Sequence, residues 1–208
     1  MLLNGNNQCL IPYNTYIPNS NGVTFNARFC VVEIYRDGQD QILDTLKAVP
    51  IPIDSNLGGV LSLNTVDGNF YACLSKATIR ITSDYKVDQV LSNKLVRIFK
   101  YRGSLYGVGL NQLYRSEDDG VSWTPIIQIS DDANLNTFKV IDNELIAFYN
   151  DQLLHLTITD NTLEQKEILT DGLEGNKITS ISLFKGKIYL TTVSGVFTKD
   201  YNKFFTYK

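Results

Sequence analysis

Ser116-Glu117-Asp118-Asp119-Gly120-Val121-Ser122-Trp123 is the stretch that decides the fold of this 208-residue chain. It spaces a small hydroxyl, a carboxylate, a glycine and a large aromatic as Ser-x-Asp-x-Gly-x-x-Trp. A turn of that length leaves several backbone N–H groups without ladder partners, and a buried unpaired donor is costly. The Ser116 and Asp118 side chains can accept from N–H groups one or two residues on. Gly120 takes a positive φ without steric penalty, so the chain can reverse there. Trp123 then enters the next strand with a large apolar surface to bury and one indole N–H to satisfy. Use of Glu117, Asp118 and Asp119 as cation ligands fits less well, because calcium loops space their ligands differently and need more oxygens.

Outward from this turn, one unit recurs: an apolar strand, a two-residue turn and a second strand. Val60 to Leu63 leads through Asp67-Gly68 to Phe70-Tyr71-Ala72-Cys73, and Leu95 to Phe99 through Arg102-Gly103 to Leu105-Tyr106-Gly107-Val108. Phe138 to Ile141 leads through Asp142-Asn143 to Leu145 to Phe148, and Ile178 to Phe184 through Lys185-Gly186 to Ile188-Tyr189-Leu190. Gly or Asn as second turn residue suits the positive φ of primed hairpin turns. The turns begin at 67, 102, 142 and 185, spacings of 35, 40 and 43 residues. A further strand follows in each copy: Ile79-Arg80-Ile81, Leu113-Tyr114-Arg115, Leu153 to Leu156 and Val196-Phe197-Thr198. Residues 23–56 carry strand-like runs, Arg28 to Tyr35 and Ile42 to Leu46, around Asp37-Gly38, and read as a divergent copy. Leu163 to Leu169 reads either as a faint helix or as a polar strand. A period near 40 residues for four strands is that of a propeller blade, and the length accommodates about five. The expected fold is all-β, a small β-propeller of about five blades built from antiparallel sheets over residues 23–208.

The octapeptide resembles the Asp-box of the bacterial neuraminidase repeat, which decorates the blades of sialidase-like β-propellers. Ser116, Asp118, Gly120 and Trp123 occupy every defining position. Thr198-x-Asp200-x-Asn202-x-x-Phe205 keeps the spacing, with Asn for Gly and Phe for Trp; Thr82-x-Asp84 keeps the first half, and the copy around Thr157-Ile158-Thr159 has lost the pattern. The resemblance covers roughly residues 57–208. It implies that Ser116, Asp118, Gly120, Trp123, Thr198, Asp200, Asn202 and Phe205 form fold-stabilising turns away from any catalytic face. WD-type propellers fit less well, since no Gly-His start or terminal Trp-Asp is found.

Composition bounds the rest. With 43% apolar residues the chain can bury an ample core as one domain. A net charge of −3 with interspersed signs gives no basic footprint for nucleic acid. Cys9, Cys30 and Cys73 lie far apart without paired spacing, which argues against a zinc site or a disulfide framework, and Cys73 reads as a small buried hydrophobe. The opening Met-Leu-Leu-Asn-Gly-Asn-Asn lacks the basic region and long apolar core of a signal peptide, and no run reaches the ~20 apolar residues of a membrane helix. A protein of a reducing cytoplasm, or of an assembly formed there, is expected. Residues 1–22 are rich in Asn and Pro around two short apolar knots, Cys9 to Tyr13 and Tyr16-Ile17-Pro18. Pro12 and Pro18 argue against a helix and a central strand. The segment reads either as a strand closing the last blade or as an extended arm that docks on a neighbour.

Catalysis is not expected. Sialidase-like enzymes carry an arginine triad, a Tyr-Glu nucleophile pair and an acidic catalyst, and their Arg-Ile-Pro-type motif is absent. Of the six arginines, Arg28, Arg36, Arg80, Arg97, Arg102 and Arg115, several fall in strands or turns beside the repeat, a spacing that suggests surface or ladder positions. Glycoside hydrolysis needs two facing carboxylates about 5–9.5 Å apart, whereas acids here cluster in turns, as at Asp118-Asp119 and Asp131-Asp132. The one histidine, His155, alternates with Leu154 and Leu156, as a solvent-facing strand position would. No catalytic, cofactor-binding or metal-binding residue is therefore assigned. The abundance of Asn, Ile, Lys and Tyr, with the fold, resembles the neck and tail ring proteins or packaged-DNA stabilisation proteins of short-tailed phages, crAss-like phages included. That resemblance implies a structural virion protein in a symmetric ring with portal and tail subunits, bound to other proteins and not to membranes or specific nucleic-acid sequences. The alternatives are a glycan-binding propeller module and an assembly factor of the plant and cyanobacterial type, which also resembles Asp-box propellers.

Overall fold

The computed structural model describes residues 2–20, 22–35, 39, 47–130, 137–170 and 172–208. These residues form nineteen strands in five antiparallel sheets, a 3-10 turn at Ser55–Leu57 and one short α element. Sheet 1 holds β1 (Leu2–Leu3), β2 (Gln8–Asn19), β3 (Gly22–Glu33) and β4 (Lys47–Ile51). Sheet 2 holds β5 (Val60–Val66), β6 (Asn69–Leu74), β7 (Thr78–Ile81) and β8 (Val87–Leu91); sheet 3 holds β9 (Arg97–Tyr101), β10 (Ser104–Val108), β11 (Gln112–Ser116) and β12 (Thr124–Gln128). Sheet 4 holds β13 (Thr137–Ile141), β14 (Glu144–Tyr149), β15 (Gln152–Thr159) and β16 (Thr162–Glu167); sheet 5 holds β17 (Ile178–Phe184), β18 (Lys187–Thr192) and β19 (Val196–Asp200). α1 (Tyr201–Phe204) follows. Each sheet is a meander in chain order, the cheapest topology for strands joined by short turns.

The first hairpin of sheets 2 to 5 turns where the sequence places it. Asp67 and Gly68, Arg102 and Gly103, Asp142 and Asn143, and Lys185 and Gly186 all have positive φ. Two successive positive values are the signature of the primed turn, whose twist matches that of the strands it joins.

The core is four successive interfaces between neighbouring sheets. Leu10, Phe29 and Val31 of sheet 1 meet Phe70, Ala72 and Ile79 of sheet 2. Tyr71, Cys73 and Val90 of sheet 2 meet Ile98, Leu105 and Trp123 of sheet 3. Tyr106, Val108 and Leu113 of sheet 3 meet Leu145, Ala147 and Leu156 of sheet 4. Ile146, Phe148 and Leu153 of sheet 4 meet Ile181, Ile188 and Leu190 of sheet 5. The period-2 alternation of a strand explains the division: Phe70, Ala72 and Leu74 of β6 face one way, Tyr71 and Cys73 the other. An interior sheet is thus apolar on both faces, and its strands read as unbroken hydrophobic runs. Cys73 sits in such an interface as a free thiol, and burial pushes its pKa up to about 11, away from nucleophilic thiolate chemistry.

The N-terminal segment belongs to sheet 1. Beyond Leu10, β2 has β3 on one side and no β1 partner on the other, because β1 pairs only Leu2 with Leu10 and Leu3 with Cys9. Pro12 and Pro18 are six residues apart and so turn the same side to the ladder, and they sit on this open edge, where no amide donor is required. Within the chain, the segment thus pairs in the first sheet and not in the last. The Asp37-Gly38 turn and the Ile42 to Leu46 run lie outside the described residues, as do Arg36 and the Asp131-Asp132 pair. Of the run Leu163 to Leu169, residues 163–167 lie in strand β16, paired with β15, while Ile168 bridges to Tyr207.

Candidate functional site

The octapeptide turn joins β11 to β12. Ser116 Oγ donates to Asp118 Oδ1 at 2.8 Å and accepts from the Gly120 amide at 2.9 Å. Asp118 also accepts from the Ser122 amide at 2.8 Å and the Ser122 hydroxyl at 2.6 Å. These acceptors reach amides four residues on, further than the local one- or two-residue pattern expected from the sequence. Asp119 and Gly120 both have positive φ, 54° and 82°. The Trp123 indole donates to the Gly120 carbonyl at 3.2 Å. With its oxygens taken up by hydroxyl and amide donors, Asp118 is held at a pKa of about 2, first by the Ser122 hydroxyl and then by the Ser122 amide. The unfolded chain, near 3.8, binds the proton more tightly than the native state. This carboxylate therefore stabilises the fold above about pH 4, and the stabilisation is lost as pH falls towards 2. Urea unfolding between pH 2 and pH 6 should show a flatter pH dependence in Asp118→Asn than in the wild type, and parallel profiles would disprove the role.

The turn also reaches across to sheet 2. The Asp119 carbonyl accepts from the Tyr71 hydroxyl at 3.0 Å and from Arg80 Nη1 at 2.9 Å, and Arg80 Nη2 pairs with Asp88 at 2.8 Å. Burial raises the Tyr71 phenol to about 12, against the opposing pull of Arg80, so it stays a donor. The half-motif of sheet 2 repeats the first half of the turn: Thr82 Oγ1 donates to Asp84 and accepts from the Lys86 amide at 3.1 Å, with Tyr85 at a φ of 68°. Thr198, Asp200, Asn202 and Phe205 are arranged differently. Asp200 caps α1 by position but without a side-chain hydrogen bond, Asn202 lies inside α1, and Phe204 fills the core with Phe205 packed beside it. A helical turn replaces the left-handed reversal there because adjacent Phe204 and Phe205 stack edge-on, 5.1 Å apart, against the sheet 4–sheet 5 interface.

His155 is not solvent-facing. Its Nε2 lies 2.8 Å from Glu144 Oε2 and its Nδ1 2.7 Å from the Tyr207 hydroxyl. The C-terminal residues cover it: the Leu169 amide donates to the Thr206 carbonyl, and the Lys208 amide to the Glu167 carbonyl. The hydroxyl–imidazole–carboxylate order has the outline of a relay, and burial, then the Glu144 charge, raise the Tyr207 pKa, which keeps the phenol protonated. The described arginines have separate partners. Arg28 donates to the Ile53 carbonyl, Arg97 to the Val96 carbonyl, Arg102 lies over Tyr101 and Arg115 pairs with Glu117. Among the described residues no three His, Cys, Asp or Glu side chains form a metal-binding group, and no helix is long and apolar enough to cross a membrane.

Two of the recesses among the described residues bear on the contacts between sheets 2, 3 and 4. A void of about 40 Å³ between sheets 3 and 4 is lined almost wholly by apolar side chains such as Phe99, Phe138 and Leu156, so it offers a water no set of polar partners. A cleft of about 530 Å³ opens at one end of sheets 2 and 3, between the β6–β7, β8–β9 and β10–β11 loops. Lys76, Asn93, Lys94, Leu110, Asn111 and Tyr114 line it. Tyr114 lies against Gly109, where a Cβ would come within 3.1 Å of its ring, and its hydroxyl meets Asn93 Nδ2 at 3.4 Å. Sequence inspection overlooks this cleft because its residues come from three loops. The available signal is the polar Ser75-Lys76 and Ser92-Asn93-Lys94 at the ends of consecutive repeat strands.

No family model and no curated protein matches the chain. Among solved structures, YCF48 bound to D1 peptide is similar over 97% of this chain and 71% of its own, at 12% identity and a TM-score of 0.56. The extracellular domain of the one-component system BT4673 from B. thetaiotaomicron is similar over 93% of this chain at 11% identity and a TM-score of 0.50. The chain spans only 36% of that structure's length. Both neighbours are propeller-like, and at these identities the likeness concerns the fold. The protein is an all-β, propeller-like molecule of antiparallel sheets.

Proposed function

We propose that the chain is a five-bladed, Asp-box-type propeller module without enzymatic activity that works by binding other protein subunits. The observation that carries this is a group of exposed apolar side chains on the outer face of sheet 1. Its cross-strand rows are Leu3-Cys9-Val32-Ala48 and Ile11-Cys30-Pro50, with Tyr13 beyond. Leu3, Ile11 and Tyr13 are 50%, 37% and 43% exposed, while the opposite face of the same sheet is fully buried at Leu10 and Phe29. Cys9, between Leu3 and Ile11, is itself buried, and the exposed apolar groups around it are of the kind that a partner covers. The outer face of sheet 5 adds Phe184 and Val196, 59% and 63% exposed. The separate engagement of the described arginines supports a non-catalytic reading.

Within this reading, a ring component in the neck or tail of a short-tailed phage virion is the assembly we favour. Its support is the composition and a sheet-on-sheet packing that can continue from subunit to subunit. A fold of this kind also holds a peptide, as in the YCF48 structure, and the assembly-factor alternative differs in predicting transient association. Cross-linking mass spectrometry on the native assembly tests the proposal. Lys47 at sheet 1 and Lys187 on the outer face of sheet 5 should link to other subunits, and an Ile11→Asp/Tyr13→Asp variant should lose these links while keeping its circular dichroism spectrum. Links confined to the chain itself, or unchanged in the variant, would overturn it.

A further inference from the structure

We propose that the cleft between the β6–β7, β8–β9 and β10–β11 loops docks an extended acidic peptide segment carrying an aliphatic residue. This deepens the protein-binding reading but uses a surface separate from the outer face of sheet 1.

Charge gives the first argument. Lys76 and Lys94 line the cleft, no acidic residue does, and neither lysine has an ion-pair partner among the described residues. In a chain of net charge −3 this is a local reversal of sign, and two flexible ammonium groups suit carboxylates on a flexible partner. Hydrogen bonding gives the second. The amides of Asn93 and Asn111 each both donate and accept, as the N–H and C=O of an extended backbone require of a partner. Shape gives the third. Leu110 is 47% exposed at the rim, an aliphatic step that an aliphatic side chain would cover. Tyr114 is fixed beside it by Gly109 beneath the ring and by Asn93 at the hydroxyl, so part of the wall is already ordered before binding.

The same features disfavour a saccharide. Sugar recognition benefits from an open aromatic face, whereas Tyr114 is half-buried against Gly109 and its hydroxyl is occupied. The exposed apolar group is Leu110, not a ring. A volume of about 530 Å³ falls in the ordinary range for a ligand recess.

Selection of a random heptapeptide display library on the full chain is the test, with counter-selection on Lys76→Glu/Lys94→Glu. The wild type should enrich peptides that combine several Asp or Glu with Leu, Ile or Val. The best synthetic peptide, followed by fluorescence anisotropy, should bind at least tenfold more weakly to the double variant and to the wild type in high salt, and several-fold more weakly to Leu110→Ser. Thermal melts establish that the variants fold, with Lys76→Gln and Lys94→Gln in reserve should the charge reversal unfold the chain. Absence of enrichment over an uncoated surface, enrichment of basic or neutral peptides, or unaltered binding by the lysine variants would overturn the proposal. Binding of oligogalacturonate without any peptide would assign the cleft to an acidic saccharide instead. Ile11→Asp/Tyr13→Asp should bind the peptide as the wild type does, so failure of the sheet 1 interface and failure of the cleft are told apart.

Discussion

Trp123→Ala should lower the unfolding free energy by roughly 3–5 kcal/mol, the range for removing a buried large aromatic. The indole is 9% exposed and is wedged between sheets 2 and 3 with Tyr71, Leu95, Ile98 and Leu105. Collapse of the surroundings cannot fill the hole. A Cβ built on Gly107 would lie 3.0 Å from Trp123 Cζ3, so the ring rests on the backbone of β10. That backbone is pinned by ladders to β9 and β11. The substitution also frees the Gly120 carbonyl that the indole N–H bonds. Urea unfolding followed by far-UV circular dichroism measures the loss, since the protein's one tryptophan is the residue removed. Trp123→Phe should recover part of it by refilling the interface without the hydrogen bond. A loss below about 1 kcal/mol for the alanine variant would mean the side chain is not a wedge between sheets.

What the sequence discloses is chemistry that acts over short range. Asp67-Gly68 and the three turns like it are legible because a positive φ at two adjacent positions restricts residue type there, and the strands flanking them follow from the apolar runs. The octapeptide is legible for the same reason, as far as the acceptor roles of Ser116 and Asp118, though their donors lie four residues on and not one or two. Its partners are not, because Tyr71 on β6 and Arg80 on β7 approach Asp119 from 48 and 39 residues earlier. His155 is misread from its neighbours because its cover comes from Tyr207, 52 residues on. Pro12 and Pro18 mislead because their exclusion from a ladder applies to one edge only, and β1 is too short to occupy that edge. At Thr198 to Phe205 the spacing survives while the fold of the segment changes, since with two adjacent phenylalanines available the core takes Phe204 and leaves Phe205 at its margin. In each case the local pattern is sound, and a contact distant in sequence decides the outcome.

Gly120 is the position where local and distant requirements coincide, and substitutions there should rival Trp123→Ala in effect. The sequence alone ranks Asn above Val at this site, because Asn tolerates a positive φ and a β-branched residue does not. The structure adds a second requirement. A Cβ on Gly120 would stand 2.5 Å from the Tyr71 hydroxyl and 2.9 Å from its Cε1, and the Tyr71 ring is packed in the interface between sheets 2 and 3. Gly120→Asn should therefore also be costly, and Gly120→Val should lose roughly 3–5 kcal/mol from backbone strain and overpacking together. The two causes are separable. Tyr71→Phe removes the nearest atom of the clash but leaves the 82° φ of residue 120 unchanged. In a double-mutant cycle, Tyr71→Phe should thus offset part of the cost of Gly120→Ala, giving a coupling energy of about 1 kcal/mol or more. Additive losses would mean that the backbone conformation alone demands glycine. A Gly120→Asn variant as stable as the wild type would mean that the turn does not dock on Tyr71 at all, and that sheets 2 and 3 are joined by side-chain packing without this backbone clasp.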